Sequence, residues 1–124
     1  MVFLDTHAAV FLWEGRLEVF GDAARAALER EPLGLSPFVR LELAWLAEIG
    51  RLLVEPDAIV GGLEADCGVH LADDRTAAVV GQAMRLVWTR DPFDRLIVAT
   101  AMLHGARLVT RDRRIQEHFD GAIW

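Results

Sequence analysis

Lysine is missing from this sequence: all 13 basic side chains among the 124 residues are arginine. Chemistry that needs an amine nucleophile, or a lysine to hold a phosphate, is thereby excluded. Cysteine occurs once, at Cys67, so neither an intrachain disulfide nor a cysteine-based zinc site can form, and a reducing cytoplasm is the expected compartment. No run of about 18 uninterrupted apolar residues is present, so no membrane span is expected. The chain enters Val2, Phe3 and Leu4 without a basic leader or a cleavage signal. Positive charge is scarce, because 19 acidic residues against 13 arginines leave a net charge of −6. General attraction to nucleic acid, which draws on Lys and Arg neutralising phosphates, is therefore absent. Any such contact must rest on bound metal ions or on local groups: Arg111, Arg113 and Arg114, or Arg90 and Arg95. His7, His70, His104 and His118 are scattered, without the close helical pair of a zinc hydrolase; only His7 lies close enough to Asp5 in sequence to share a substrate with it.

What is present is a chain with 53% apolar residues, enough for one compact domain with a substantial core and too short for two. Residues 1–124 are therefore read as a single domain. Short apolar runs alternate with segments of helical period, the pattern of βα units around a parallel sheet. Strands are expected at Val2 to Leu4, Leu33 to Leu35, Val69 to Leu71, Arg107 to Thr110 and Ala122 to Trp124. Helices are expected through Val10, Phe11 and Trp13 until Gly15, from an Asp22 cap to about Arg30, and from a Ser36 cap with Pro37 to near Gly50. Further helices should run from Pro56 to about Ala65, from Asp74 onward, from Asp91 and Pro92 to about His104, and from Arg113 to Phe119, with Gly105 just past the sixth. The architecture is expected to be a three-layer α/β/α sandwich with a flavodoxin-like sheet.

Four carboxylates stand in unusual places. Asp5 directly follows an apolar strand, and parallel sheets bind ligands beyond the carboxyl ends of their strands; it can also cap the first helix, as can Thr6. Glu42 falls, at 3.6 residues per turn, among Phe38, Trp45, Leu46 and Ile49, with Arg40, Ala44, Ala47 and Glu48 opposite. A lone carboxylate against a core costs several kcal/mol unless a cation compensates it, and a buried Arg partner is the alternative to a metal. In the run Asp91-Pro92-Phe93-Asp94, acids at the N-cap and N3 positions can both serve the helix start, and either can belong to the site. Capping is favoured for Asp91, whereas Asp94 lies one turn before Ile97, Val98 and Ala101 and shares the inward face, which favours the site. Asp112 follows the strand ending at Thr110 and should emerge at the same sheet edge as Asp5.

Hard oxygen ligands favour Mg2+ or Mn2+ over zinc, and Mg2+ commonly takes one or two carboxylates directly while keeping waters. A receiver domain shares this length and a strand-end aspartate, but the missing lysine removes its usual phosphate partner. A phosphatase with an aspartate nucleophile would carry a second acid two residues later, where His7 stands.

The order Leu4-Asp5-Thr6-His7, then Ser36 with Glu42 and Gly50-Arg51-Leu52, then Asp91-Pro92-Phe93-Asp94-Arg95 followed by Leu96 to Ala101, then Val109-Thr110-Arg111-Asp112 resembles PIN-domain proteins. Among these the chain is similar to VapC-type toxins of bacterial toxin–antitoxin pairs, over nearly all its length. The resemblance implies a Mg2+-dependent endoribonuclease that hydrolyses RNA with metal-activated water, Mn2+ being a plausible substitute. It makes Asp5 and Asp94 the direct metal ligands, completed by Glu42 and Asp112 with Thr110 as a hydrogen-bonding support. It also implies a homodimer and a small cognate antitoxin. The alternative is a noncatalytic PIN-like RNA- or protein-binding module, which need not keep all four acids.

Overall fold

The computed structural model describes all 124 residues. Its centre is a five-stranded parallel sheet built from β1 (Val2–Leu4), β2 (Leu33–Leu35), β3 (His70–Leu71), β4 (Arg107–Val109) and β5 (Ala122–Ile123), in the order β3-β2-β1-β4-β5. Both β1 and β4 are apolar because a parallel strand is covered on both faces: Val2, Phe3, Leu4, Leu108 and Val109 are all essentially inaccessible. Phe3 pairs with Gly34 across the β1–β2 ladder, and the glycine is required there, since a Cβ at position 34 would stand 2.8 Å from the Phe3 ring.

Seven helices cover the sheet and complete the three-layer α/β/α sandwich: α1 (Thr6–Trp13), α2 (Asp22–Arg30), α3 (Pro37–Glu48), α4 (Pro56–Cys67), α5 (Thr76–Ala83), α6 (Pro92–Leu103) and α7 (Arg113–His118). No helix is long and apolar enough to cross a membrane. Ser36 caps α3 as expected, its Oγ accepting from the Phe38 amide at 3.2 Å with Pro37 in the first turn. Two expected caps are not caps. Asp22 lies inside the first turn of α2 behind Gly21 and pairs with Arg25 at 2.7 Å, because the chain enters that helix one residue earlier. Asp74 stands two residues before α5, which begins after Arg75 without a side-chain cap, and bonds His104 Nε2 at 2.8 Å instead.

The strand order decides where a ligand can bind. The chain builds outward from β1 through β2 to β3, then returns to place β4 on the other side of β1. The order reverses between β1 and β4, and connections leaving these two strands diverge, opening a crevice at their carboxyl ends. Asp5 follows β1, and Thr110, Arg111 and Asp112 follow β4, so they meet at this reversal.

Candidate metal centre

At the reversal lies a cavity of about 320 Å³ lined by Asp5, His7, Glu42, Asp91, Asp94, Arg111 and Asp112, with no hydrophobic residue among them. The four carboxylates expected to converge do so. A larger cavity of about 570 Å³ opens beside α3 and α4, but its aspartate, Asp57, is already neutralised by Arg40 at 2.8 Å.

Each acid is placed by its element. Asp5 is the N-cap of α1 and a site residue at once: Oδ1 accepts from the Thr6 amide at 2.7 Å, and Oδ2 accepts from Thr110 Oγ1 at 2.6 Å. Thr6 is therefore not the cap. Asp112 caps α7, accepting from the Ile115 amide at 3.0 Å, and its own amide donates to Thr110 Oγ1 at 3.1 Å. Asp91 caps α6, accepting from the amides of Phe93 at 2.8 Å and Asp94 at 3.3 Å. It also lines the cavity, so it adds its charge to the cluster while serving as the cap.

Glu42 reaches the cavity from α3, though not along the stripe expected of it. The face of α3 that is fully buried carries Val39 and Leu43, whereas Trp45 and Ile49 are 43% and 47% exposed. Glu42 stands beside Leu43, at the margin of that face, and is only half-buried. No arginine pairs with it; Arg40, the nearest on the helix, is committed to Asp57.

The electrostatics are those of an uncompensated acidic cluster. Burial first, then the charges of Asp91, Asp5, Asp112 and Glu42, push the Asp94 carboxyl up to about 7. Burial also raises Glu42, with Asp5 and Asp91 adding to the rise and the nearby Thr6 hydroxyl opposing it. Asp5 is raised by burial too, against the hydrogen bonds from Thr110 and Thr6.

These features fit a hard divalent cation. The donors are carboxylate oxygens, and none is taken by an arginine. No three acidic or imidazole groups converge closely enough to ligate one ion together. Mg2+ held by one or two carboxylates and its own waters does not need three converging protein ligands.

A PIN-domain family model matches residues 2–121. The chain belongs to the PIN-domain family. It is 36% identical over 121 residues to Ribonuclease VapC22 of Mycobacterium tuberculosis (strain ATCC 25618 / H37Rv), covering 94% of this chain and 91% of that protein. The fold is similar to a toxin–antitoxin complex from Klebsiella pneumoniae, with TM-score 0.69 and 20% identity over 100% of this chain and 97% of that one. It is also similar to VapBC2 from Rickettsia felis bound to a promoter DNA fragment, with TM-score 0.64 and 15% identity over 99% and 96% of the two chains.

Of the arginines singled out as substrate contacts, only Arg111 lines the cavity. Arg95 Nε is spent on the Thr89 carbonyl at 2.7 Å, and Arg113 and Arg114 lie exposed on the first turn of α7. His7 does line the cavity, where its charge would lower the Asp5 carboxyl.

Proposed function

We propose that this PIN-domain protein is a VapC-type toxin, a Mg2+-dependent endoribonuclease that cuts RNA phosphodiester bonds and is held in check by a small cognate antitoxin. The observation that carries the reading is the unneutralised cluster of Asp5, Glu42, Asp94 and Asp112 at the strand-order reversal, with Asp94 pushed up to about 7. The 36% identity to a protein named as a ribonuclease supports the same chemistry.

In this reading Asp5 and Asp94 would hold the cation, Glu42 and Asp112 would complete the acidic site, and Thr110 orients the Asp5 carboxylate through its hydrogen bond. The cation, when bound, supplies a Lewis acid that lowers the pKa of water and balances charge growing on the phosphate. Mn2+ should substitute, because it shares the preference for oxygen ligands. A complete acidic set argues against a noncatalytic binding module, which would not need to retain it.

The same reading includes a homodimer. The α5–α6 pair carries exposed Val80, Met84 and Met102, with Val87 just beyond α5 at 76% exposure, an apolar surface of the kind that covers itself in an oligomer. Incubating the purified protein with total cellular RNA and Mg2+ or Mn2+ tests the activity, and EDTA should abolish it. A well-folded preparation that cuts nothing with either metal would overturn the assignment. In cells, expression alone should arrest growth, and co-expression of the cognate antitoxin should restore it.

A further inference from the structure

A second cavity, of about 350 Å³, adjoins the acidic one and is lined by His7, Val10, Phe11, Leu46, Arg51 and Leu52. His7 lines both. We propose that this cavity is the subsite for the nucleotide next to the scissile phosphate, with Arg51 and Arg111 holding the phosphates on either side of its base. The proposal rests on the ribonuclease reading of the acidic centre and extends it to residues outside that centre.

The first observation is charge. Arg51 and Arg111 are both exposed, and neither forms an ion pair with any carboxylate, in a chain whose net charge is −6. Arg111 faces five acids in the neighbouring cavity and still pairs with none. Its guanidinium instead lies over the Phe11 ring, 4.8 Å from the centroid. Stacking of this kind fixes the plane of the fork while leaving its N–H groups free, which suits recognition of a phosphate. Since Phe11 lines the second cavity and Arg111 the first, the arginine sits at their boundary.

The second observation is how Arg51 is delivered. Just past the Ile49 C-cap of α3 stands Gly50, whose φ of +76° is a left-handed conformation that other residues adopt only with strain. The chain therefore folds back, and the amides of Arg51 and Leu52 both donate to the Leu46 carbonyl, at 2.8 and 3.2 Å. This turn places Leu46, Arg51 and Leu52 together on the cavity wall. The turn is an ordinary glycine helix stop, and it brings a free cation beside an apolar floor.

The third is the pairing of surfaces. Val10, Leu46 and Leu52 are partly exposed in the cavity and offer an apolar face to a base, with Arg51 on the same wall and Arg111 at the boundary with the acidic cavity. Proteins that follow single strands combine such a face with a cationic track. A chain without lysine must build that track from arginine.

The test compares Arg51→Gln, Arg111→Gln and Leu52→Ala with the wild type, and uses Arg40→Gln, on the far cavity, as control. Cleavage of a labelled single-stranded RNA of about twelve nucleotides is followed over a range of salt. Arg51→Gln should raise KM about tenfold, leave kcat within about threefold and reduce the salt slope by about one. Leu52→Ala should change the base preferred at one position beside the cut, read by sequencing the products. Arg40→Gln should change neither. Binding of the same RNA by fluorescence anisotropy, with Ca2+ replacing Mg2+, is read separately, so that a protein that cuts no RNA fails the ribonuclease reading without deciding the subsite. Unaltered anisotropy and salt slope in both Arg51→Gln and Arg111→Gln would overturn the subsite. So would RNA binding and cleavage unchanged while antitoxin affinity falls, which would give the cavity to a protein partner.

Discussion

Thr110 Oγ1 donates to Asp5 Oδ2 across 2.6 Å and at the same time accepts the Asp112 amide at 3.1 Å. One buried hydroxyl thus ties together the two aspartates that leave β1 and β4. Thr110→Val keeps the volume but removes both interactions, leaving a buried carboxylate oxygen and an amide with one partner fewer. The expected loss is about 1–3 kcal/mol. Asp5 should also become harder to ionise, since the Thr110 bond is the largest influence opposing its burial. The melting-temperature gain from Mg2+ should therefore shrink in Thr110→Val and largely return in Thr110→Ser. A valine variant that gains as much from Mg2+ as the wild type would remove Thr110 from any role in organising the site.

Metal-free protein should lose stability as pH rises toward neutrality. The ordinary aspartate pKa is about 3.9, whereas Asp94 sits at about 7 through burial and the surrounding acids. Between those values the folded state binds more protons than the unfolded one, so unfolding free energy falls with rising pH. Glu42 and Asp5 are shifted the same way and steepen the trend. Thermal melts in EDTA should accordingly be higher near about pH 5 than near about pH 7.5, and saturating Mg2+ should recover the difference at the higher pH. A flat profile in EDTA would show that the cluster is not strained.

Asp91 and Asp94 should respond oppositely to the same change. Asp91 carries two cap hydrogen bonds, and Asn is as good an N-cap. Asp91→Asn should therefore alter stability little and keep most cleavage, with a modest loss because the residue also lines the cavity. Asp94 makes no hydrogen bond through its carboxylate and takes charge repulsion from four sides. Asp94→Asn should cut the rate at least about a hundredfold, roughly 2.7 kcal/mol of barrier, while the metal-free fold becomes slightly more stable. Lost cleavage in Asp91→Asn beside near-normal cleavage in Asp94→Asn would reverse the assignment.

The strand-end acids were legible because a parallel sheet exposes one edge of its strands to ligand, and Leu4-Asp5 and Val109 to Asp112 show where two strands stop. Glu42 was legible as an acid among apolar neighbours, although of the expected stripe Phe38 and Leu46 are half-buried while Trp45 and Ile49 lie exposed. In α3 every face but that of Arg40 and Glu48 carries apolar residues, so periodicity could not rank Val39 and Leu43 above Trp45 and Ile49. Caps at Asp22 and Asp74 misled because an acid near a helix start signals a cap only if the entering chain turns at that residue. The Arg111–Phe11 stack and the double position of Asp91 depend on pairings between distant segments, which no local pattern encodes.

The last expectation concerns how α3 and α6 are held so that Glu42 and Asp94 face one cavity. Ser36 and Thr100 are fully buried, and their hydroxyls meet at 3.0 Å. Thr100 Oγ1 donates to the Leu96 carbonyl at 2.8 Å, so the proton between the hydroxyls comes from Ser36, whose oxygen still accepts the Phe38 amide. The chain of bonds runs from the α3 cap into α6. Ser36→Ala removes the cap and leaves Thr100 with a missing donor, at a cost of about 1–2 kcal/mol, or a fall in melting temperature of about 4 °C per kcal/mol. Thr100→Val leaves the cap intact and should cost less, and the double variant should cost less than the sum of the two, because the lost hydroxyl contact is counted only once. Cleavage should fall in both single variants through a lower kcat at unchanged KM, as α3 and α6 lose their register. Additive stability losses in the double variant would show that the two hydroxyls contribute independently and that the α3–α6 register is set by apolar packing alone.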